Sequence, residues 1–512
     1  MNIIPQPLKT VKLNGCFTID ADVVVYCHAE YADEVRVFTD FVSSTCGFQL
    51  QVTQNIEEAQ IIFNHNARCL PNQYLIMINE GLATITAYDK VSCFYAVQTL
   101  LGISVYSKAT NTLSLANCYV EDCPKFAYRG LMVDLCRHFF LLETLLKVVD
   151  EMARVKLNKL HLHLSDDQGF RVEISKYPLL NSVGSVRGGS EVIRNGERFV
   201  DDQVHQGYLT KQDVAHLVSY AAERKIDVIP ELSLPGRVLA MLAAYPQYSC
   251  VGQIAEVRKK WTPAKDVLCV GNDETLPFVC DILDEITQMF PSPVVHLGGN
   301  DVPQDRWCNC KACLQKMSDL HLDGFEDLHR HFVEQVRLHL QEKGKRVVCW
   351  EDEIDGADDS VICQCMRSRN RAVAQANKGR KVILSPSSHF NFGWPYSRVP
   401  IEKTRAFKPL KGVKKGATDN VLGVEGLLWT EYVQSEEKLF FQLLPRVNAL
   451  AEVAWGYKGV HFADKCKQRY ADYAHRQLAC NDKATAKTFF LHRHAVTNKF
   501  YKFDSDVELL GK

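Results

Sequence analysis

The chain has 512 residues, and its 60 basic and 61 acidic side chains leave a net charge of −1, which excludes a broad electrostatic footprint for nucleic acid or for an anionic membrane surface. No run of about 18 apolar residues could span a bilayer. The opening MNIIPQPLKTVKLNG lacks the basic-then-apolar order of a signal segment, so a cytoplasmic chain of more than one domain is expected.

Residues 1–122 read as a small α/β domain. DADVVVYC, FQLQVT, AQIIFN, QYLIMIN and LATITAY show the short apolar alternation of strands, and SCFYAVQTLLGISVY carries the longer stripe of a helix. EDCPKF marks a boundary, with Pro124 interrupting the pattern. From about Tyr128 apolar runs recur, each ending in polar residues and most followed by a helical stretch. In order they are YRGLMVDLCRHF, KLNKLHLHLSDDQ, KIDVIPELSLPG, VVHLGGNDV, RVVCWEDE, VICQCM, KVILSPSSHF and VLGVEGLLWTE, with helical LLETLLKVVDEMARV and KQDVAHLVSYAAER between the early ones. Eight such units over residues 123–490 predict an α/β fold of the (β/α)8 barrel type, a TIM barrel whose chemistry sits at the C-terminal ends of its strands. Those ends hold Arg137, Asp166, Asp167, Arg237, Asn300, Asp301, Glu351, Asp352 and Glu431. A doubly wound sheet with solvated loop charges is the plainer alternative. Residues 491–512 read as a closing helix or tail.

Along these units some motifs point away from metal chemistry. His161 and His163 stand two apart on a strand and face one side. Metal-dependent hydrolase barrels use such a pair, but with further ligands at later strand ends, where this chain offers Arg237 and Asn300. Both histidines are therefore expected to be structural. The 19 cysteines are odd in number and scattered, many inside apolar runs (Cys136, Cys280, Cys349), which reads as buried free thiols. CNCKAC gathers Cys308, Cys310 and Cys313, and Cys310-x-x-Cys313 could be half a zinc site. No second CxxC or HxxxH stands at a suitable spacing, so no metal and no cofactor are expected.

Other motifs point to carbohydrate. Asp166 and Asp167 are adjacent, so at a strand end only one can aim inward; a solvated turn is the plainer reading. Trp350 in CWEDE and Trp429 in LLWTE lie one or two residues from carboxylates. An aromatic face takes the apolar side of a sugar ring while the acid takes its hydroxyls. Barrel-core tryptophan is the alternative, and two such pairs at strand ends favour the sugar.

YRGLMVDLCRHFF, EMARVKLNKLHLHLSDDQGFRVEISKYPLL, YLTKQDVAHLVSYAAERKIDVIPEL with SLPGR, HLGGNDVPQDRW, and GLLWTEY with LPRVNALAEVAW together resemble glycoside hydrolase family 20, the β-N-acetylhexosaminidases. The resemblance covers nearly the whole chain, since IIPQP and FYAVQTLLGI are similar to the small domain that precedes the barrel there. It implies exo-acting cleavage of a terminal β-linked hexosaminide, with the substrate's own acetamido oxygen as nucleophile in place of one of the usual two carboxylates. It implies that Arg129, Asp166 or Asp167, Trp429 and Glu431 read the sugar hydroxyls, and that Trp350 lines the acetamido pocket.

The departures from the family's pattern are as informative. Its catalytic Asp–Glu pair is Asn300–Asp301 here. An amide cannot offset the charge that develops beside it, a loss on the scale of roughly 2–4 kcal/mol, and the shortened acid is displaced. The family's E-I-D-x-P-G-H ends in Arg237, whose permanent charge would hold Asp301 ionised. Met366 stands where the family has a tryptophan, and Asn391 and Gly393 fall where it has Tyr-x-Asp. These losses cluster around the N-acetyl group. The first reading is therefore an exo-acting β-glycosidase for a terminal amino sugar with altered C2 preference and Asp301 as acid/base, weakened N-acetylhexosaminidase activity falling within it; a sugar without a participating acetamide needs another nucleophile or an activated water, for which Glu351, Asp352 and the Asp166–Asp167 pair are the nearby candidates. The second is a degenerate family member that binds a glycan or a protein partner without turnover.

Overall fold

The computed structural model describes residues 3–456, apart from 195–196 and 354–355. The tail expected at 491–512 and the last part of the expected barrel segment lie outside the described residues.

The N-terminal sheet has eight strands, in the order Lys9–Ile19, Thr112–Asp122, Tyr74–Asn79, Leu82–Ala87, Ile61–His65, Val24–Cys27 and Gln51–Thr53, with Ser104–Ser107 paired to Thr112–Asp122. Helices Ala32–Cys46 and Lys90–Ile103 pack on it. The second is buried along most of its length and opens with a capping box between Asp89 and Ser92. It ends at Ile103, so the SVYS that follows is a strand and not the helix's last turn. Lys9–Ile19 has no signature in the sequence for a physical reason: it is an edge strand exposed along most of its length, and no apolar alternation is needed there.

The second sheet closes on itself. Tyr128–Asp134, Lys159–Asp166, Asp227–Leu232, Val294–His296, Arg346–Trp350, Ile362–Cys365, Val382–Leu384 and Val421–Leu428 pair in that order, all parallel, and the last pairs with the first. This is the expected (β/α)8 barrel behind a small N-terminal domain. Helices Leu142–Arg154, Lys211–Glu223, Thr275–Met289, Phe325–Glu342 and Arg369–Asn377 connect successive strands. Between the fifth and sixth strands the described residues contain only the 3-10 turn Glu351–Glu353, so that unit departs from the strand–helix repeat.

Side chains fill the barrel in layers, as period-two alternation on tilted strands requires. The lowest layer is apolar: Ile229, Val294, Val348, Ile362 and Ile383 with Tyr128. The next is ionisable, which the apolar sequence runs conceal. His161 contacts Glu425 at 3.0 Å and Glu231 at 3.1 Å, and its ring stacks on His296 at 4.7 Å. Gln364 and Tyr128 donate to the same Glu425. Burial opposes the charge on His161, but Glu425 and Glu231 outweigh it and hold its pKa up at about 9. Burial and the neighbouring cationic histidines instead keep His296 neutral, at about 3. The upper layer is apolar again: Met132, Trp350, Leu427 and Trp429, with Met366 against them.

At the opposite, N-terminal end the barrel meets the small domain through a buried polar cluster. Lys156 Nζ donates to Tyr74 Oη (2.6 Å) and Thr99 Oγ1 (2.8 Å) and pairs with Asp122 (3.2 Å). Trp455 Nε1 donates to the other Asp122 oxygen at 2.7 Å.

Candidate active site

The site is assembled from strand ends. After the first strand, Asp134 Oδ1 accepts the backbone N–H groups of Cys136 (2.8 Å) and Arg137 (3.2 Å). That turn folds Arg137 back over the barrel mouth. Its Nη2 lies 2.8 Å from Asp166 Oδ2, and its guanidinium sits 5.0 Å from the Trp429 ring centroid. Asp166 also receives His163 Nε2 at 2.9 Å. Burial opposes ionisation of Asp166, but Arg137, Arg237 and His163 prevail and hold its pKa at about 2. His163 in turn is pushed up to about 10, since Glu231 and Asp166 outweigh its burial.

The adjacent acids point oppositely. Asp167 turns outward and accepts the N–H groups of Ala264 (2.8 Å) and Leu239 (3.1 Å). Burial and Asp166 raise its pKa to about 6. It fastens the loop after the third strand and is not part of the mouth.

The fourth strand ends at His296, earlier than the apolar run VVHLGG suggests. Gly298 and Gly299 adopt φ of +67° and +88°, and a β carbon at Gly298 would lie 2.8 Å from Ser233 Cα, so only glycine fits this close turn. It delivers Asn300, which is buried, and Asp301, at φ +54°. Asp301 is clamped by two arginines. Arg237, itself at φ +59°, donates to Oδ2, and Arg367 Nη2 lies 2.7 Å from Oδ1. Asn300 Nδ2 lies 3.4 Å from Oδ2. Burial opposes the charge on Asp301, but the two guanidinium groups hold its pKa below the ordinary carboxylate value.

Trp350 is buried with Nε1 on Glu231 at 2.8 Å, and its ring centroid lies 6.1 Å from that of Trp429. Met366 extends this wall. Glu351 is turned away from the mouth and accepts the backbone N–H groups of Arg367 (2.7 Å) and Ser368 (3.0 Å), which fixes the loop bearing Arg367. Asp352 pairs with Arg367 at 3.2 Å. Glu431 is half-buried; burial raises its pKa against the pull of Arg137, with Asp134 and Asp166 adding to the rise. Asn391 is buried, its Oδ1 has no hydrogen-bond partner among the described residues, and its backbone bridges to Leu427. Two residues on, a β carbon at Gly393 would lie 2.3 Å from the Trp429 carbonyl oxygen.

Asp166, Arg237, Asn300, Asp301, Trp350, Met366, Asn391, Trp429 and Glu431 thus gather at the C-terminal mouth. Arg129 does not, and its expected role there is corrected. It lies near the start of the first strand, where Nε donates to Lys156 O (2.9 Å), Nη1 to Phe126 O (2.8 Å) and Nη2 to Tyr95 Oη. Its guanidinium packs 5.3 Å from the Tyr95 ring and 5.1 Å from that of Trp455. The arginine at the mouth is Arg137, beyond the other end of the same run. Chemically, the mouth offers the charged Arg137–Asp166 fork, an apolar aromatic wall, and a second ionised carboxylate, Asp301, between two arginines.

The catalytic-domain model of glycosyl hydrolase family 20 matches residues 126–458, and the model of that family's domain 2 matches residues 1–123. A β-hexosaminidase of Porphyromonas gingivalis is 31% identical over 493 residues, which cover 91% of this chain and 62% of the relative, so the chain spans less than two thirds of that protein. The structure of an exo β-N-acetylglucosaminidase from Vibrio harveyi, bound to N-acetylglucosamine, superposes with a TM-score of 0.84 at 24% identity, covering 95% of this chain and 78% of that one. A β-N-acetylhexosaminidase from Streptomyces coelicolor A3(2) superposes with a TM-score of 0.79 at 27% identity, covering 94% and 96%.

Proposed function

Because the chain belongs to glycosyl hydrolase family 20, we propose that its barrel mouth binds the terminal β-linked amino sugar of a glycan and hydrolyses it in an exo-acting manner, with an altered C2 preference that leaves the family's N-acetylhexosaminidase activity weakened. One observation carries the sugar site: the Arg137–Asp166 pair lies against Trp429, with Glu431 beside it. A guanidinium–carboxylate fork gives hydroxyls both donors and acceptors, and the indole takes the ring's apolar face. The altered C2 preference is supported by Met366 in the aromatic wall and by Asn391 and Gly393, where the family pattern has Tyr-x-Asp.

In this reading Asp301 is the acid/base. The Arg237–Arg367 clamp keeps it ionised at rest, so it must take up a proton before it can serve a leaving group, and turnover rises toward acid pH. The same clamp favours a second reading, a barrel that binds the sugar without cleaving it.

Turnover of aryl β-glycosides that differ only at C2 separates the two. N-acetylglucosaminide, N-acetylgalactosaminide, glucosaminide and glucoside would be assayed with wild type, Asp301→Ala, and the double variant Asn300→Asp with Asp301→Glu. Release of aglycone from any of them, abolished in Asp301→Ala, establishes the hydrolase and names its C2 group. Silence on all four, with amino-sugar binding retained in calorimetry, establishes the binder.

A further inference from the structure

A four-cysteine cluster stands apart from the chemistry of the mouth. Cys269 Sγ lies 3.6 Å from Cys310 Sγ and 3.8 Å from Cys313 Sγ, and Cys313 Sγ lies 3.9 Å from Cys250 Sγ. All four sulfur atoms fall within 4.8 Å of one another. A tetrahedron of thiolates around zinc, with Zn–S near 2.3 Å, has an edge of about 3.8 Å. The separations match that edge and are nearly twice a disulfide bond, about 2.05 Å. Cys363 and Cys365 also touch, at 3.3 Å, but they are strand neighbours, and among the described residues no third ligand atom converges on them.

We infer that Cys250, Cys269, Cys310 and Cys313 bind a structural zinc ion that ties together the loops after the third and fourth barrel strands. Cys310 and Cys313 flank the start of helix Lys311–Asp319. Cys250 and Cys269 are distant in sequence, but an antiparallel bridge between Ser249 and Leu268, with Cys269 N–H on Tyr248 O at 2.7 Å, sets them side by side. The two halves meet at Gly271, where a β carbon would lie 2.2 Å from the Ala312 carbonyl carbon; only glycine lets these backbones approach so closely. Cys269, Cys310 and Cys313 are buried and Cys250 is half-buried, which suits a structural site closed by four protein ligands. The exposed Cys308, between Trp307 and Asn309, takes no part. Among the described residues the two other groupings within ligand reach, His161–Glu231–His296 and Asp134–Cys136–His163, have their carboxylates already engaged by cationic partners.

The ion's place gives it a task. One loop carries Arg237 and the other Asn300 and Asp301. Arg306 pairs with Asp266 at 2.7 Å and Trp307 Nε1 donates to Leu268 O at 2.9 Å beside the cluster. A tetrathiolate there holds the two ends of the Arg237–Asp301 contact in register.

The test uses the full chain purified under reducing conditions. Elemental analysis is expected to find about one zinc per chain, and cobalt exchange to give the intense thiolate-to-metal charge transfer and visible bands of a tetrahedral tetrathiolate. Cys310→Ser with Cys313→Ser should lower metal content at least about tenfold and lower Tm, whereas Cys308→Ser should retain both. Zinc well below stoichiometry after loading, together with no cobalt charge transfer in wild type, would overturn the inference. So would a Cys269–Cys310 disulfide found by peptide mapping of the reductively purified chain. If the double variant fails to fold, the wild-type cobalt spectrum alone decides.

Discussion

At the scale of single residues, the two arginines on Asp301 carry the sharpest consequence. A carboxylate whose pKa is depressed loses its proton at a lower pH than an ordinary one, so the acid form that could protonate a leaving group disappears early as pH rises. The limb on which activity falls as pH rises should therefore lie below that of an unclamped aspartate. Replacing Arg237 by Gln and Arg367 by Met removes both positive charges that stabilise the Asp301 carboxylate, and kcat/KM against pH should then move that limb to higher pH. A limb that stays in place in the double variant would show that Asp301 does not govern it. Arg129 and Arg137 allow a second test. Arg137→Ala removes a charged donor from the mouth and should weaken amino-sugar binding by about 10- to 100-fold. Arg129→Met should leave binding within about twofold and cost about 1–3 kcal/mol of stability, because it strips donors from buried carbonyls. Equal binding losses in both would return Arg129 to the site. The two arginines bracket one apolar run, Arg129 as the second residue of its strand and Arg137 beyond the strand's end; the barrel rule that chemistry sits after the strand favours Arg137, whereas the resemblance implies the opposite end. Glu425 was illegible for another reason. Inside VLGVEGLLW it is a lone charge in a buried strand, and only the closed barrel shows that His161, Gln364 and Tyr128 meet it.

At the scale of elements, the eight barrel strands are legible because burial on both faces demands nearly continuous apolar runs. What limits legibility is the geometry beyond each strand end, where positive φ and close backbone contacts decide which side chain reaches the mouth. Gly393 shows this. By sequence it stands where the family has an aspartate, as if a single substitution could restore it. In the structure its neighbour is the Trp429 carbonyl oxygen, 2.3 Å from where a β carbon would sit. Gly393→Asp should therefore destabilise the chain by about 3 kcal/mol, read as a lowered urea midpoint with unchanged slope, without conferring N-acetyl preference. A stable variant that gains N-acetylhexosaminide turnover would show that the seventh-strand loop shifts freely and that the pocket was lost by side-chain change alone. The cysteine cluster obeys the same limit: a spacing rule finds Cys310 and Cys313, and only the bridge between Ser249 and Leu268 supplies the other pair.

For the whole molecule, the question is how the small domain and the barrel are joined. Lys156 and Asp122 are both buried at that junction, together with Tyr74, Thr99 and Trp455. Their sequence positions give no hint of pairing, since Asp122 closes a strand and Lys156 follows a helix, both places where a solvated charge is the ordinary expectation. Attraction across a buried pair is largely spent on desolvating both charges, so the pair as such adds little, whereas removing one partner strands the other. Lys156→Met should therefore cost about 3–5 kcal/mol, with the Asp122 carboxylate left to neutral donors: Tyr74, Trp455 and the backbone N–H groups of Leu8 and Cys123. Lys156→Met combined with Asp122→Leu should recover part of that loss, because the second change removes the stranded charge. Urea unfolding of the full chain followed by tryptophan emission reads both, since Trp455 sits in the cluster. A single variant within about 0.5 kcal/mol of wild type would mean that the junction is held by its apolar contacts and that the buried cluster only sets its register. A double variant no better than the single one would mean that Trp455 and Tyr74, left without their acceptor, matter more than the charge.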